Sequence, residues 1–139
     1  MRLSARNQIK GIVTGVEEGA VSAIVTIDAD GTPITATISN AAAKELGLCA
    51  GMEAYAVIKA TSVLVATDVG KISARNRFAG AIEEVEKGAV QSFVTLRTAA
   101  GTAIKATISN SAVDDLGLKA GDAATAVVKA TDVMVGIDH

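Results

Sequence analysis

The stretch SARNQIKGIVTGVEEGAVSAIVTIDADGTPITATISN, residues 4–40, returns as SARNRFAGAIEEVEKGAVQSFVTLRTAAGTAIKATISN, residues 73–110. Ser4-Ala5-Arg6-Asn7 and Ser73-Ala74-Arg75-Asn76 lie 69 residues apart, and Glu17 to Val21 matches Glu86 to Val90 at the same offset. At Ala36-Thr37-Ile38-Ser39-Asn40 and Ala106-Thr107-Ile108-Ser109-Asn110 the offset is 70, so one residue has been inserted in between. The insertion falls near Asp28 to Gly31 versus Arg97 to Gly101, which reads as a hairpin tip, where extra length is tolerated. Leu46-Gly47-Leu48 with Gly51 matches Leu116-Gly117-Leu118 with Gly121, and Lys59-Ala60-Thr61 with Val63 matches Lys129-Ala130-Thr131 with Val133. A repeat spanning nearly the whole chain sets its organisation: one unit at residues 1–69 and a second at 70–139.

Within a unit the signals are mostly those of strands. Ile12 to Val16, Val21 to Ile27 and Ile34 to Ile38 are rich in Val, Ile and Thr with partial period-two alternation, and Glu18-Gly19 and Asp30-Gly31 punctuate them as turns. They read as a meander. The segment from Asn40 to Leu46 holds helix formers before a Gly47 stop, with Ser39 or Asn40 placed to cap it. Ala54 to Ile58 and Ser62 to Ala66 then read as a last strand pair or one bent strand. Four or five short strands and one short helix in such a length predict an all-β chain of two tandem OB-fold-like small β-barrels, because closure removes exposed strand edges. The linker Asp68-Val69-Gly70-Lys71 is short, so the units are expected to pack closely, with the possibility of a shared strand.

Composition narrows the function. Half the residues are apolar but only 2% are aromatic, with one Tyr (Tyr55), two Phe (Phe78 and Phe93) and no Trp, so the core is one of Val, Ile, Leu and Ala. A unit of about 70 residues buries only about 60% of the surface its unfolded chain exposes, which makes oligomerisation an expectation. Thirteen basic and fifteen acidic residues are interspersed along the chain, without the basic stripe or stacking aromatics of a nucleic-acid binder. Neither a signal peptide nor an apolar run of membrane-spanning length is present, which points to the cytoplasm and away from a membrane partner. The single Cys49 supports neither a disulfide nor a zinc site and is expected to pack as a small hydrophobe.

Catalysis finds little to build on. The only histidine, His139, is the last residue of the sequence and gives no defined Ser-His or Cys-His geometry. The acid pairs Glu17-Glu18, Glu83-Glu84 and Asp114-Asp115 have adjacent side chains that point apart, as on a solvated face. Gly11, Gly15 and Gly19 superficially suggest a phosphate loop, but their spacing of four on a strand pattern fits bulge and turn glycines. No redox or metal-ligand cluster is seen, so the chain is read as a non-enzyme without direct protein–metal bonds.

SARNxxxGxV near the start, ATIS before a short helix, LGLxxG after it and KATxV near the end, in that order and twice, resemble the Mop domain. Two such units in one short chain are similar to the di-domain molbindins. The resemblance implies an OB-like barrel for each domain, a cytoplasmic homotrimer, and binding of molybdate or tungstate as an intact oxyanion with no other cofactor. It places oxyanion sites between neighbouring domains and subunits, with further sites near the threefold axis, and a role in molybdenum storage or metal homeostasis. Carried over by position, the first unit supplies Ser4, Ala5, Arg6, Ser39, Lys59, Ala60 and Thr61; the second supplies Ser73, Ala74, Arg75, Ser109, Lys129, Ala130 and Thr131.

The chemistry asks for such residues independently. Molybdate is a tetrahedral dianion at neutral pH, so a selective pocket should offer N–H, hydroxyl, guanidinium and ammonium donors and few acceptors. Ser39 at a helix start would turn free N–H groups and the positive end of the helix dipole toward an anion. Taken one at a time, Ser4 could cap a turn, Arg6 could pair with Glu45 or Asp68, and Lys59 could be a solvated strand-end lysine; repetition in full context outweighs those readings. Two other functions stand beside storage. One is a ligand-sensing interaction module that signals molybdate occupancy to a partner, and the other a structural oligomer with vestigial anion sites.

Overall fold

The computed structural model describes residues 1–138, so the expectation about His139 lies outside the described residues. The first repeat forms β1 (Asn7–Glu18), β2 (Ser22–Ala29), β3 (Thr32–Ser39), α1 (Asn40–Glu45), β4 (Glu53–Ile58) and β5 (Leu64–Ala66). The second forms β6 (Asn76–Lys87), β7 (Gln91–Thr98), β8 (Ala103–Ser109), α2 (Asn110–Leu116), β9 (Ala123–Val128) and β10 (Met134–Gly136). A single 3₁₀ turn, Ala60–Ser62 or Ala130–Asp132, precedes each repeat's last strand. The meander is the one the alternation predicts: Ala23, Val25, Ile27 and Ala29 of β2 are buried in strict period two.

The chain forms two compact units. One comprises Met1–Ile58 with the segment from Lys129 onward, and the other Lys59–Val128. The first holds an antiparallel sheet in the order β10-β4-β1-β2-β3, the second one in the order β5-β9-β6-β7-β8. The repeat boundary at 69/70 is therefore a boundary of sequence, whereas in space the last segment of each repeat folds with the first four strands of the other. The strand pair expected from Ala54–Ile58 and Ser62–Ala66 does not form. The 3₁₀ turn separates the two, and β5 pairs with β9 (Leu64↔Val127) while β10 takes the matching register on β4 (Met134↔Val57).

Each sheet curls into a barrel around one long strand. The first half of β1 pairs with β4, from Asn7↔Ile58 to Ile12↔Glu53, and its second half with β2, from Ile12↔Asp28 to Glu18↔Ala23. A bulge between Val13 and Gly15, matched by one between Ile82 and Glu84, re-aims the strand as it changes partner. At this bend a Cβ on Gly11 would lie 2.4 Å from the Asp28 carbonyl oxygen, and one on Gly80 2.3 Å from that of Arg97. Glycine is required there by close backbone approach. The edges then meet, β10 near β3 and β5 near β8, with the turn Ala130–Asp132 packed on β3 and Ala60–Ser62 on β8. Val13, Val25, Ile27, Ile34, Ile58 and Val133 fill the first barrel; Phe78, Ile82, Val94, Leu96, Ile104 and Val63 fill the second.

The inserted residue sits at the β7–β8 tip, where the first unit has a shorter turn between β2 and β3. Asp30 (φ 51°) and Gly31 (φ 90°) make a two-residue turn with both φ positive, the type I′ geometry that suits a hairpin's twist. In the second unit Ala99, Ala100 and Gly101 (φ 92°) form a three-residue loop, closed by Thr98 N–H donating to the Thr102 carbonyl at 2.9 Å. Cys49 departs from expectation: it is exposed, in the turn between the Gly47 helix stop and Gly51, and its amide N–H approaches Met52 Sδ at 3.2 Å. A turn this tight leaves no inward face for the thiol. Among the described residues no helix is long and apolar enough to cross a membrane, and no group of three or more His, Cys, Asp or Glu could hold a metal ion.

Candidate functional site

The SARN segments lead into the long strands and carry on their alternation backwards. Ser4 and Arg6 are exposed and Asn7 is 2% exposed; Ser73 and Arg75 are exposed, Ala74 is buried and Asn76 is again 2% exposed. The buried asparagine anchors the motif: Asn7 Nδ2 donates to the Ile58 carbonyl at 3.2 Å, tying the motif to the end of β4. Sequence reasoning passed over Asn7 and Asn76 as site residues, although period two from the exposed arginines would have turned both inward.

The KAT segments are built as turns in which the lysine and alanine carbonyls are hydrogen-bonded. Lys59 and Lys129 are extended, exposed residues entering a 3₁₀ turn, the following alanine is buried, and the threonine faces solvent. Ser62 N–H donates to the Lys59 carbonyl at 2.9 Å and Val63 N–H to the Ala60 carbonyl at 3.3 Å; Asp132 and Val133 repeat this on Lys129 and Ala130 at 2.9 and 3.3 Å. The amides of Ala60, Thr61, Ala130 and Thr131 open their turns, where an N–H has no partner within the turn. Each KAT segment thus offers an ammonium, a hydroxyl and two amide donors.

Ser39 and Ser109 cap the short helices as the sequence predicts. Their Oγ atoms accept from Ala42 N–H at 3.0 Å and Ala112 N–H at 3.1 Å, which leaves each hydroxyl proton to donate elsewhere. The expectation of a free helix N-terminus needs correction. Asn40 N–H already donates to the Val21 carbonyl at 3.3 Å and Asn110 N–H to that of Val90 at 3.0 Å, and helices of six and seven residues carry only a small dipole. The hydroxyl, rather than the helix, is what these serines can bring to an anion.

Grouping in space differs from grouping by repeat. Ser4, Ala5, Arg6 and Ser39 share a unit with Lys129, Ala130 and Thr131, while Ser73, Ala74, Arg75 and Ser109 share the other with Lys59, Ala60 and Thr61. In the first unit Gln8 and Met134 flank Val57 from either side, so the SARN and KAT lead-ins stand at the same end of the sheet, where β4 finishes. Ser39 stands elsewhere. It pairs with Ser22 beside the far end of β1, a 12-residue strand away from Arg6. One unit therefore gathers the SARN and KAT donors but does not gather Arg6 with Ser39.

The acid pairs Glu17-Glu18, Glu83-Glu84 and Asp114-Asp115 are all exposed, with Glu83 bridging Arg97 at 3.1 Å and Asp114 bridging Lys87 at 2.5 Å. The shifted titrations fall on a separate cluster of the first unit. Asp138 accepts from the Met1 ammonium and from Tyr55 Oη, each at 2.9 Å, and those two bonds hold its carboxyl below the usual range. The bond to Asp138 raises the Tyr55 phenol, and Glu53, 3.3 Å from Lys10 Nζ, raises that ammonium.

Known proteins share this architecture. The chain is similar to the cytoplasmic molybdate-binding protein ModG, solved with molybdate bound, at 43% identity over 99% of each chain and a TM-score of 0.95. It is 41% identical to the molybdenum transport protein ModE of Herbaspirillum seropedicae and 39% identical to the molybdenum-pterin-binding protein MopA of Rhodobacter capsulatus. It spans 53% of the length of either relative, and they cover 100% and 99% of this chain. The TOBE domain matches residues 3–65 and again 72–135, so the chain belongs to the TOBE-domain family and carries two copies in tandem.

Proposed function

We propose that this chain binds molybdate or tungstate as an intact tetrahedral oxyanion, without turnover, and serves molybdenum storage or homeostasis in the cytoplasm. One observation carries the reading. Each unit presents the same donors, Ser4 and Arg6 with Lys129 and Thr131 in one and Ser73 and Arg75 with Lys59 and Thr61 in the other, on segments whose nearby carbonyls are already hydrogen-bonded. A dianion that only accepts hydrogen bonds is matched by such a surface, and a carboxylate-lined site would repel it. The likeness to the molybdate-bound ModG structure supports the same ligand.

Assembly completes the site in this proposal. Because Arg6 and Ser39 stand at opposite ends of β1, a shell using both draws one of them from another copy of the chain, and the expected assembly is a homotrimer. Binding is then linked to assembly, and ligand raises the stability of the oligomer. Replacing Arg6 and Arg75 together by Ala tests the assignment. Molybdate affinity should fall at least about tenfold, since a hydrogen bond to a charged group contributes about 1.5–3 kcal/mol, while the mass by light scattering stays that of the wild type. Unchanged affinity in the folded double variant would refute the assignment.

A further inference from the structure

The residue two places beyond each arginine takes the same two carbonyl oxygens in both units, although it differs in kind. Gln8 Nε2 donates to the carbonyls of Leu3 at 3.1 Å and Ala5 at 3.0 Å. At the matching position Arg77 donates through Nη2 to the carbonyl of Ile72 and through Nε to that of Ala74 at 3.4 Å. A neutral amide and a guanidinium thus make one and the same clamp. What the two share is the ability to donate twice across a short span.

The clamp acts on the peptide planes of the motif. No peptide bond among the described residues is cis, so each C=O points opposite to the N–H of the next residue. Holding the Leu3 and Ala5 carbonyls toward Gln8 aims the N–H groups of Ser4 and Arg6 the other way, and Arg77 does the same for Ser73 and Arg75. It also removes from the motif two acceptors per unit that would repel a dianion.

We infer that Gln8 and Arg77 are positioning residues of the oxyanion sites, fixing the SARN backbone so that the amides of Ser4, Arg6, Ser73 and Arg75 serve as donors; this rests on the oxyanion-binding function proposed above. They act through the backbone and need no contact with the ligand. The exchange of Gln for Arg between units keeps the clamp and changes only the charge. A neutral double donor is therefore sufficient.

The test compares Gln8→Met with Arg77→Met, which keep side-chain bulk and remove the donors, against Arg77→Gln, which copies the first unit's clamp into the second. Molybdate titration of the Gln8→Met/Arg77→Met double variant should show affinity lowered about tenfold, the lower end of what losing an orienting partner behind a ligand-binding group costs. Its melting temperature and oligomeric mass should stay near the wild-type values, and the amides of residues 4–7 and 73–76 should exchange faster with solvent. Arg77→Gln should hold affinity within about fivefold, the range of one exposed charge. Should the Met variants fail to fold, Gln8→Glu, isosteric but unable to donate when ionised, provides the same comparison. Wild-type affinity in the clamp-less variants, or a loss with Arg77→Gln as large as with Arg77→Met, would overturn the positioning role alone. Absence of molybdate binding by the wild type would overturn the proposed function, and the positioning role with it.

Discussion

Asn40 and Asn110 occupy the same place in the two units and make the same first hydrogen bond, Nδ2 to the carbonyl of Gly19 at 3.0 Å or of Gly88 at 3.1 Å. Their Oδ1 atoms fare differently. In the second unit Ser92, fully buried on β7, donates its hydroxyl to Asn110 Oδ1. The first unit has Ala23 at the matching position, and Asn40 Oδ1 is buried without a partner. Two copies of one fold therefore hold the residue just after the helix cap in different states of polar satisfaction. Repetition of backbone does not guarantee repetition of its supporting bonds, and a buried acceptor left unpaired costs about 1–3 kcal/mol.

The strongest way to probe that comparison is where the units agree. Gly11→Ala and Gly80→Ala each push a Cβ into a backbone carbonyl that cannot rotate away, and each should lower stability by about 3 kcal/mol, read as a fall in melting temperature. A large loss at only one of them would show that the two bends are not equivalent. Next comes the pair at which the units differ. Ser92→Ala should destabilise by about 1–3 kcal/mol, whereas Ala23→Ser should stabilise by about 1 kcal/mol by giving Asn40 Oδ1 a donor. Equal and small effects from both would remove the asymmetry.

The smallest effect is spectroscopic. Tyr55 is the only tyrosine, so phenolate absorbance reads it alone, and its midpoint should lie above the usual value near pH 10 because Asp138 accepts its proton in a hydrogen bond. With its folded value raised, the contribution to stability is complete below the unfolded value and is lost as pH rises through the folded one. Asp138→Asn should move the midpoint back toward the ordinary value; an unmoved midpoint would separate the shift from that bond.

Much of this architecture was legible because it is local. Period two in Ala23 to Ala29, the Ser39 cap, the Gly47 stop and the inserted residue at the β7–β8 tip each depend on a few neighbouring residues. The exchanged strands were legible only as a shared strand that the short linker allowed, without saying which strand crosses over. Leu64-Val65-Ala66 faces Val127-Ala126-Thr125, but the corresponding Val57-Ala56-Tyr55 of its own repeat offers nearly the same surface, so the choice rests on the path of the chain through the 3₁₀ turn. Within the site, SARN and KAT stood out by recurring. Gln8 and Arg77 stayed hidden for the opposite reason: unlike residues at matched positions read as an unconstrained site, and only hydrogen-bond geometry shows their shared role.

Oxyanion binding by these repeated donors is the central claim, and calorimetric titration of the purified protein with molybdate tests it most directly, with sulfate and phosphate in parallel and the oligomeric mass fixed by light scattering. The expected result is saturable binding at about micromolar affinity or tighter, with more than one molybdate per chain, in an oligomer, and with sulfate far weaker. A folded sample that gives no heat with molybdate, or that takes sulfate equally well, would contradict it.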